Sequence, residues 1–492
     1  VGFYDNNYMY KENSTNATAH GNLIGGFKLL QSQIQGNISE QYSQPFYEMH
    51  LEDSYTFTIY DDPNAKSDDR CMNLTTLDKP LIIYGNGWAL DAKGYSRIFN
   101  VTSNNVTFIN VRFLNGNASG QYNDTVDKGG ALFWAGANGK LINCSLVENH
   151  AERGGGLYLN ESASNYIITD CKFRQNDADL FGGAIDCYAP KMNLTYTLFD
   201  QNTADTGAAL CRESQATGGF GLNNTFDKNH AGISGAALAW LGVQNIHIDY
   251  YNFTGNTANQ RGAAIYVGNY SDFCIVEHCI FTGNNVTNDT LGIGGAIDIN
   301  ADNATVIHSI FTDNHASVGG AIAAGEESGF TKINNVTFTR NGATIDGGAI
   351  NLRATGVSVN DTRFYSNTAG RHGGALMVGG TGKNNTIYYS VFEKNTAADH
   401  GGAINWVAAA GDIFYSNFTA NEAVYGGGIY LNGISSHSRI FNDIFDGNRA
   451  TKNGGAIDCN ASSMGLNNTL FKSNYAAEYG AALCREANAT GG

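Results

Sequence analysis

A Gly-Gly-Ala-Ile/Leu quartet that returns about once every 27 residues leaves this chain of 492 residues few folds other than a solenoid. The quartet stands at 129–132, 182–185, 294–297, 319–322, 347–350, 373–376, 401–404 and 454–457. Softened forms fill the gaps at 154–157, 207–210, 235–238, 262–265, 426–429 and 480–483. From about residue 146 a second signal precedes each copy: an apolar residue, two variable positions and Asn, as in Phe311-Thr312-Asp313-Asn314. Its leading residue falls at 146, 173, 199, 226, 253, 281, 311, 338, 364, 392, 418, 445 and 471. Units of such a repeat contact only their neighbours, so length sets no domain count, and residues 46–492 read as a single domain.

Within a repeat, short apolar runs alternate with Gly and Asn corners, as in Ile350–Leu352, Val357–Val359 and Thr362–Phe364. This is an all-β pattern of three short strands per turn, a parallel β-helix whose turns stack about 4.8 Å apart. Phe, Ile and Leu face inward, Gly-Gly allows close approach at one corner, and the Asn series (Asn314, Asn341, Asn367, Asn395) stacks at another. Proline cannot donate to a ladder, and three of the four prolines (Pro45, Pro63, Pro80) precede the first quartet. Ahead of the coil, residues 1–25 read as an extended, Tyr-rich arm. Residues 26–45 read as a capping helix, with Phe27, Leu30 and Ile34 at helical spacing, and the loop leading into the coil.

A larger repeat overlies the small one. Residues 129–199 match 401–471 at a constant offset of 272, and Cys211-Arg212-Glu213 returns as Cys484-Arg485-Glu486 after one inserted residue. The first copy runs straight on into Phe220-Gly221-Leu222, so the chain is expected to continue beyond Gly492 and to stop in mid-solenoid.

A formal charge of −16 repels phosphate backbones and anionic bilayers, which argues against a nucleic-acid partner. No apolar run has the 18 or so residues of a membrane-spanning helix. Asn-x-Ser/Thr triplets recur throughout, with Asn105, Asn193, Asn252, Asn335, Asn360 and Asn417 as acceptors for glycan. An Asn- and Thr-rich chain also produces such triplets by chance.

The paired Phe-x-x-Asn and Gly-Gly-Ala-Ile/Leu signals resemble the repeats of chlamydial polymorphic outer-membrane proteins. The stretch from Ile82-Ile83-Tyr84-Gly85-Asn86-Gly87 through Phe108–Gly116 resembles the first turns of adhesin-like surface proteins of methanogenic archaea. Those are similar to pectate-lyase-type right-handed β-helices. The resemblance covers about 26–492. It implies a right-handed parallel β-helix at a cell surface, an extracellular rod binding a partner cell, a polysaccharide or itself. A filament or sheath subunit and a polysaccharide lyase or glycosidase are the alternatives.

Outward positions just after the quartet read Tyr158, Asp186, Tyr266, Asp298, Asn351, Asn405, Tyr430 and Asp458, following Phe133. Aromatics mixed with carboxylates and amides on one flat face suit sugar rings, and a solvated strand face has the same pattern. The strongest catalytic set is Asp346, His372 and His400, each just before Gly-Gly in consecutive turns, with Arg371 and Asp399 alongside. Exposed corners also collect polar residues, so no catalysis is expected. Cys144 and Cys171 hold one repeat position in adjacent turns, within reach of a disulfide. Cys187 with Cys211 recurs as Cys459 with Cys484, but strand alternation points the members of each couple to opposite faces, and reduced buried thiols are an equal reading. No Cys-x-x-Cys spacing is present, and neither a metal nor a cofactor is expected.

Overall fold

The computed structural model describes residues 26–41, 43–57, 71–118, 127–380, 382–487 and 489–491. The arm over 1–25 lies outside them. The chain divides into two compact units, Val1–Gly232 and Ile233–Gly492, both built from one parallel β-coil motif. Together they hold about 15 turns of about 27 residues.

One turn of the second unit explains the rest. Thr337–Thr339 forms a strand with Phe338 inward, and Asn341 makes the next corner. Gly342–Asp346 is a short fourth run into Gly347-Gly348, after which Ile350–Leu352 and Ser358–Asn360 complete the three principal strands. The sequence reading placed the same strands within one residue. The three principal strands of successive turns pair in parallel without slip, as Phe311 with Phe338 and Phe338 with Phe364, whereas the short fourth run shifts register, as between Ala316 and Val318. Four sheets result, called here the phenylalanine, corner, quartet and connecting sheets in the order of that turn.

Inside the coil the phenylalanines stack. In the first unit, Phe173, Phe199 and Phe226 lie 5.0 and 4.7 Å apart. In the second, the rings from Phe253 to Phe471 follow at 4.4–5.4 Å. Burying one such ring contributes about 1.5–3 kcal/mol, and each sits where the strand pleat turns it away from water.

The asparagine corner is a closed hydrogen-bond column. Asn341 Nδ2 donates to Asn367 Oδ1 and to the Phe311 carbonyl, both at 3.0 Å. Its Oδ1 accepts from the Nδ2 and the backbone N–H of Asn314, again at 3.0 Å. Both donors and both lone pairs of the amide are therefore used, which lets it sit fully buried.

At the glycine corner two different constraints act. Gly347 has φ +68°, a left-handed conformation, whereas a Cβ on Gly348 would lie 2.0 Å from the Gly374 carbonyl oxygen of the next turn. The first combines that angle with a Cβ position only 2.3 Å from the Ile350 carbonyl oxygen of its own turn, and the second needs glycine for its proximity to the neighbouring turn.

The helix α1 (Gly26–Glu40) buries Phe27, Leu30 and Ile34 against the first turn. Two glutamine amides complete the cap. Gln31 exchanges hydrogen bonds with the backbone of Asn73, and Gln41 with that of Glu48, at 2.6–3.0 Å, pairing strand-edge groups that would otherwise stay open.

Candidate functional site

The quartet sheet is covered on its outer face as well as its inner one. Tyr158 and Asp186 occupy one column in adjacent turns, as do Tyr266 and Asp298, and Tyr430 and Asp458. The flat, open face expected there is not formed. Asp186, Asp298, Asn351, Asn405, Asp458 and Tyr158 are buried, and Tyr266 and Tyr430 are half-buried. Part of the reason is local: in several turns the residue before the quartet folds its side chain over the column. Lys128 Nζ lies 4.8 Å from the Tyr158 ring centre, Arg153 binds Asp186 at 2.7 Å, and Arg261 reaches Asp298 at 3.4 Å. Burial pushes the Asp186 carboxyl up to about 7 despite the opposing charge of Arg153, and that of Asp298 to about 6.

Asp346, His372 and His400 do come together, bridged in register in consecutive turns. His372 Nδ1 lies 3.1 Å from Asp346 Oδ1, while Arg371 donates to both Asp346 oxygens at 3.1 and 2.6 Å. Asp399 lies between the two histidines, 3.6 Å from His372 Nε2 and 3.0 Å from His400 Nδ1. Every carboxylate in this group is therefore matched by a cation or an imidazole.

Burial raises the Asp346 pKa, but hydrogen bonds and charge from His372 and Arg371 outweigh it, so the group sits below the ordinary carboxylate range. A depressed folded-state pKa stabilises above the unfolded value of about 3.9 and is lost as pH falls through the folded one. Asp346→Asn is expected to cost about 2 kcal/mol in urea unfolding at pH 7. The gap to wild type should narrow below about pH 4; a gap independent of pH contradicts the network.

Of the two readings of the cysteines, the structure has the reduced one. None of Cys144, Cys171, Cys187, Cys211, Cys459 and Cys484 is in a disulfide. Cys144 and Cys171 stack as expected, but each thiol donates to the carbonyl two residues before it, Ile142 and Thr169, at 3.4 and 3.2 Å. Thr197, Ser309 and Ser390 make the same contact at that position in other turns, so these cysteines substitute for a hydroxyl. Cys187 and Cys459 sit in the inward-facing positions flanking Asp186 and Asp458, whereas Cys211 and Cys484 share the outward column of those aspartates.

Of the glycan acceptors, Asn105, Asn193, Asn252, Asn335 and Asn417 are exposed. Asn360 is half-buried, and its Nδ2 donates to Asn334 Oδ1 at 2.9 Å, which opposes modification of that nitrogen.

An open run of stacked rings lies elsewhere, at the corner three residues before the inward phenylalanines. Residues there have φ near +50°, which Asn adopts easily, as Asn223, Asn335 and Asn442 do. Tyr250, Tyr389 and Tyr415 take the same angle while about half exposed. Tyr389 stacks on Tyr415 at 5.1 Å. Beside them on the connecting sheet, Tyr388 stacks on Phe414 at 5.5 Å and Phe414 on Phe441 at 5.1 Å. Next along that sheet, Arg439 pairs with Asp412 through two hydrogen bonds. Five rings over three turns thus flank a charged pair. A second run, Tyr250–His278–His308, stacks at 4.7 and 5.0 Å with Asp249 bonded to His278 at 2.9 Å. The sequence reading missed this column, although the fixed distance from Phe253, Phe392 and Phe418 marks it.

A family model described as Chlamydia polymorphic membrane protein repeat matches residues 335–353, 389–405 and 444–460, each spanning an inward phenylalanine, its asparagine and the following quartet. Among curated proteins, metabotropic glutamate receptor-like protein R of Dictyostelium discoideum is 30% identical over 159 residues, covering 32% of this chain. The chain spans only 10% of that relative's length. Among solved structures, the tailspike protein of E. coli bacteriophage HK620 in complex with pentasaccharide is similar with TM-score 0.39 and 10% identity, over 91% of this chain and 74% of that one. PfbA, a surface adhesin of Streptococcus pneumoniae, gives 0.30 and 10% over 80% and 82%. The A-module of the mannuronan C-5 epimerase AlgE6 of Azotobacter vinelandii gives 0.25 and 9% over 94% and 95%.

Proposed function

We propose that this protein is a secreted, glycosylated cell-surface adhesin that holds a polysaccharide on the aromatic corner of its second unit, and that it does so without catalysis. The observation that carries the reading is Tyr389 on Tyr415. A tyrosine at a left-handed corner costs about 1–2 kcal/mol relative to glycine, and these half-exposed rings recover little of that by burial. Many corners of the coil hold a non-glycine residue at such an angle, so what singles out this pair is that its two rings are aligned and open. Aligned rings offer apolar faces to sugar rings, and the Asp412–Arg439 pair supplies hydrogen bonds to hydroxyls. Repeats of the polymorphic membrane protein type and the exposed sequons support the surface location.

The test is retention of the purified chain on immobilised polysaccharides. The double variant Tyr389→Ala/Tyr415→Ala is expected to lose at least about tenfold in affinity, equivalent to about 1.4 kcal/mol. Tyr266→Phe, at a shielded position, is expected to bind as wild type. Equal loss in both, or loss only in Tyr266→Phe, sinks the assignment to this corner.

A further inference from the structure

The two copies of the larger repeat diverge at one outer position of the quartet sheet. In the first, the Arg153 guanidinium lies between two carboxylates, donating from Nε to Asp186 at 2.7 Å and from Nη2 to Glu213. The rings of Phe181 and Tyr188 flank it at 4.5 and 5.2 Å. Cys211 stands beside Asp186 in the next turn, with its thiol 3.9 Å from Glu213 Oε1. Here a permanent cation compensates the buried acids.

The second copy keeps the acids and the thiol and loses the cation. Asp458, Cys484 and Glu486 correspond to Asp186, Cys211 and Glu213, and their ligand atoms all lie within 4.8 Å of one another. The three residues that built the guanidinium pocket are all replaced: Arg153 by Tyr425, Phe181 by Asn453 and Tyr188 by Asn460. Tyr425 does not take over the charge, since its ring stacks on His400 and its hydroxyl accepts from Lys452 at 3.0 Å.

Oxygen atoms are left without donors. Asp458 is 1% exposed, yet neither of its oxygens has a hydrogen bond of ordinary geometry; the Cys459 amide and the Cys484 thiol are its nearest weak donors. Oδ1 of Asn453 and Oδ1 of Asn460 are likewise buried and unpartnered. Asn453 is tied to the cluster by its Nδ2, which donates to Glu486 Oε1 at 3.1 Å. Two acids and a thiol converge where the other copy holds a positive charge, with the Asn453 amide bonded to one of the acids.

We propose that Asp458, Cys484 and Glu486 form a divalent metal site, in which a zinc-type ion takes the place that a guanidinium fills in the first copy. One thiolate with two carboxylates suits a borderline ion of four-coordinate preference, and the Asn453 amide oxygen can serve as the fourth ligand. Calcium and magnesium favour all-oxygen shells of six or more ligands, which this set does not supply. On binding, the thiol proton of Cys484 leaves to solvent and the sulfur lone pair forms the metal bond.

The test is titration of the chelator-treated chain with Co²⁺ and then Zn²⁺, read by absorption and calorimetry. One equivalent of Co²⁺ is expected to give a thiolate-to-cobalt band that Zn²⁺ displaces. Cys484→Ser should abolish the band, Asp458→Asn should weaken binding at least tenfold, and Tyr425→Arg at least a hundredfold by restoring the guanidinium. Cys211→Ser, in the copy that already holds Arg153, should leave the titration unchanged. Melting of each variant without metal separates lost binding from lost folding. No band in the wild type, binding that survives Cys484→Ser, or loss in Cys211→Ser alone overturns the proposal.

Discussion

Gly348→Ala is expected to destabilise the second unit by about 3 kcal/mol or more, at the upper end of what overpacking costs. The added Cβ would meet the Gly374 and Thr368 carbonyl oxygens at 2.0 and 2.5 Å, and both belong to backbone that cannot rotate away. The two turns must separate, which stretches the quartet-sheet pairing of Ile350 with Leu376. Gly447→Ala provides the comparison: its φ is +66°, but nothing lies within 4 Å of the new Cβ. There only the backbone angle is strained, at about 1–2 kcal/mol. Denaturant unfolding of the two variants should therefore differ clearly, and equal losses contradict the close-approach explanation of the second glycine.

Asn341→Ala is the other large effect, expected at about 4 kcal/mol, because removal of one amide strands several buried groups that each cost about 1–3 kcal/mol. The Asn314 Nδ2 and backbone N–H lose their acceptor, and the Phe311 carbonyl loses its donor. Asn341→Asp keeps the shape and separates charge from volume. Its carboxylate would turn acceptor atoms toward the Phe311 carbonyl and Asn367 Oδ1, so ionisation is disfavoured in the folded state and the folded pKa is raised. Its deficit relative to wild type should then be largest near neutral pH and should shrink as pH falls toward the unfolded value of about 3.9. A deficit that grows on acidification contradicts the hydrogen-bond column.

The coil was legible because its two corners are chemically narrow. The quartet opens on glycine in every copy and continues with glycine or, as at Ala208, Ala236, Ala263 and Ala481, with alanine, and only a side chain with two donors and two acceptors fits at 341, so nearly the same letters return each turn. The outer faces are not constrained in that way. Asn351 and Asp458 point away from the core, as alternation says, but the residue before Gly-Gly decides whether they are open. That residue is Arg153 in one turn, Asp346 in another and Tyr425 in a third, so sequence spacing carries no rule for it. The Tyr389 corner was hidden for a related reason. Asn335, Asp361, Tyr389 and Tyr415 share a positive φ rather than a residue type, and the shared angle becomes visible only in the backbone. The Asp346–His372–His400 series was legible as a column, but not the fact that Arg371 takes both oxygens of Asp346. Spacing left the cysteines open between disulfide and reduced thiol because a thiol here does the work of a hydroxyl, as Cys171 does beside Thr197.

The most direct test of the adhesin reading is to pass a panel of polysaccharides over the immobilised chain while assaying the effluent for released sugar. Retention of at least one polysaccharide, with no product, is the result expected of a binding surface at Tyr389 and Tyr415. Release of sugar, abolished by Asp346→Asn or His372→Ala, would contradict it and make the histidine corner an active site.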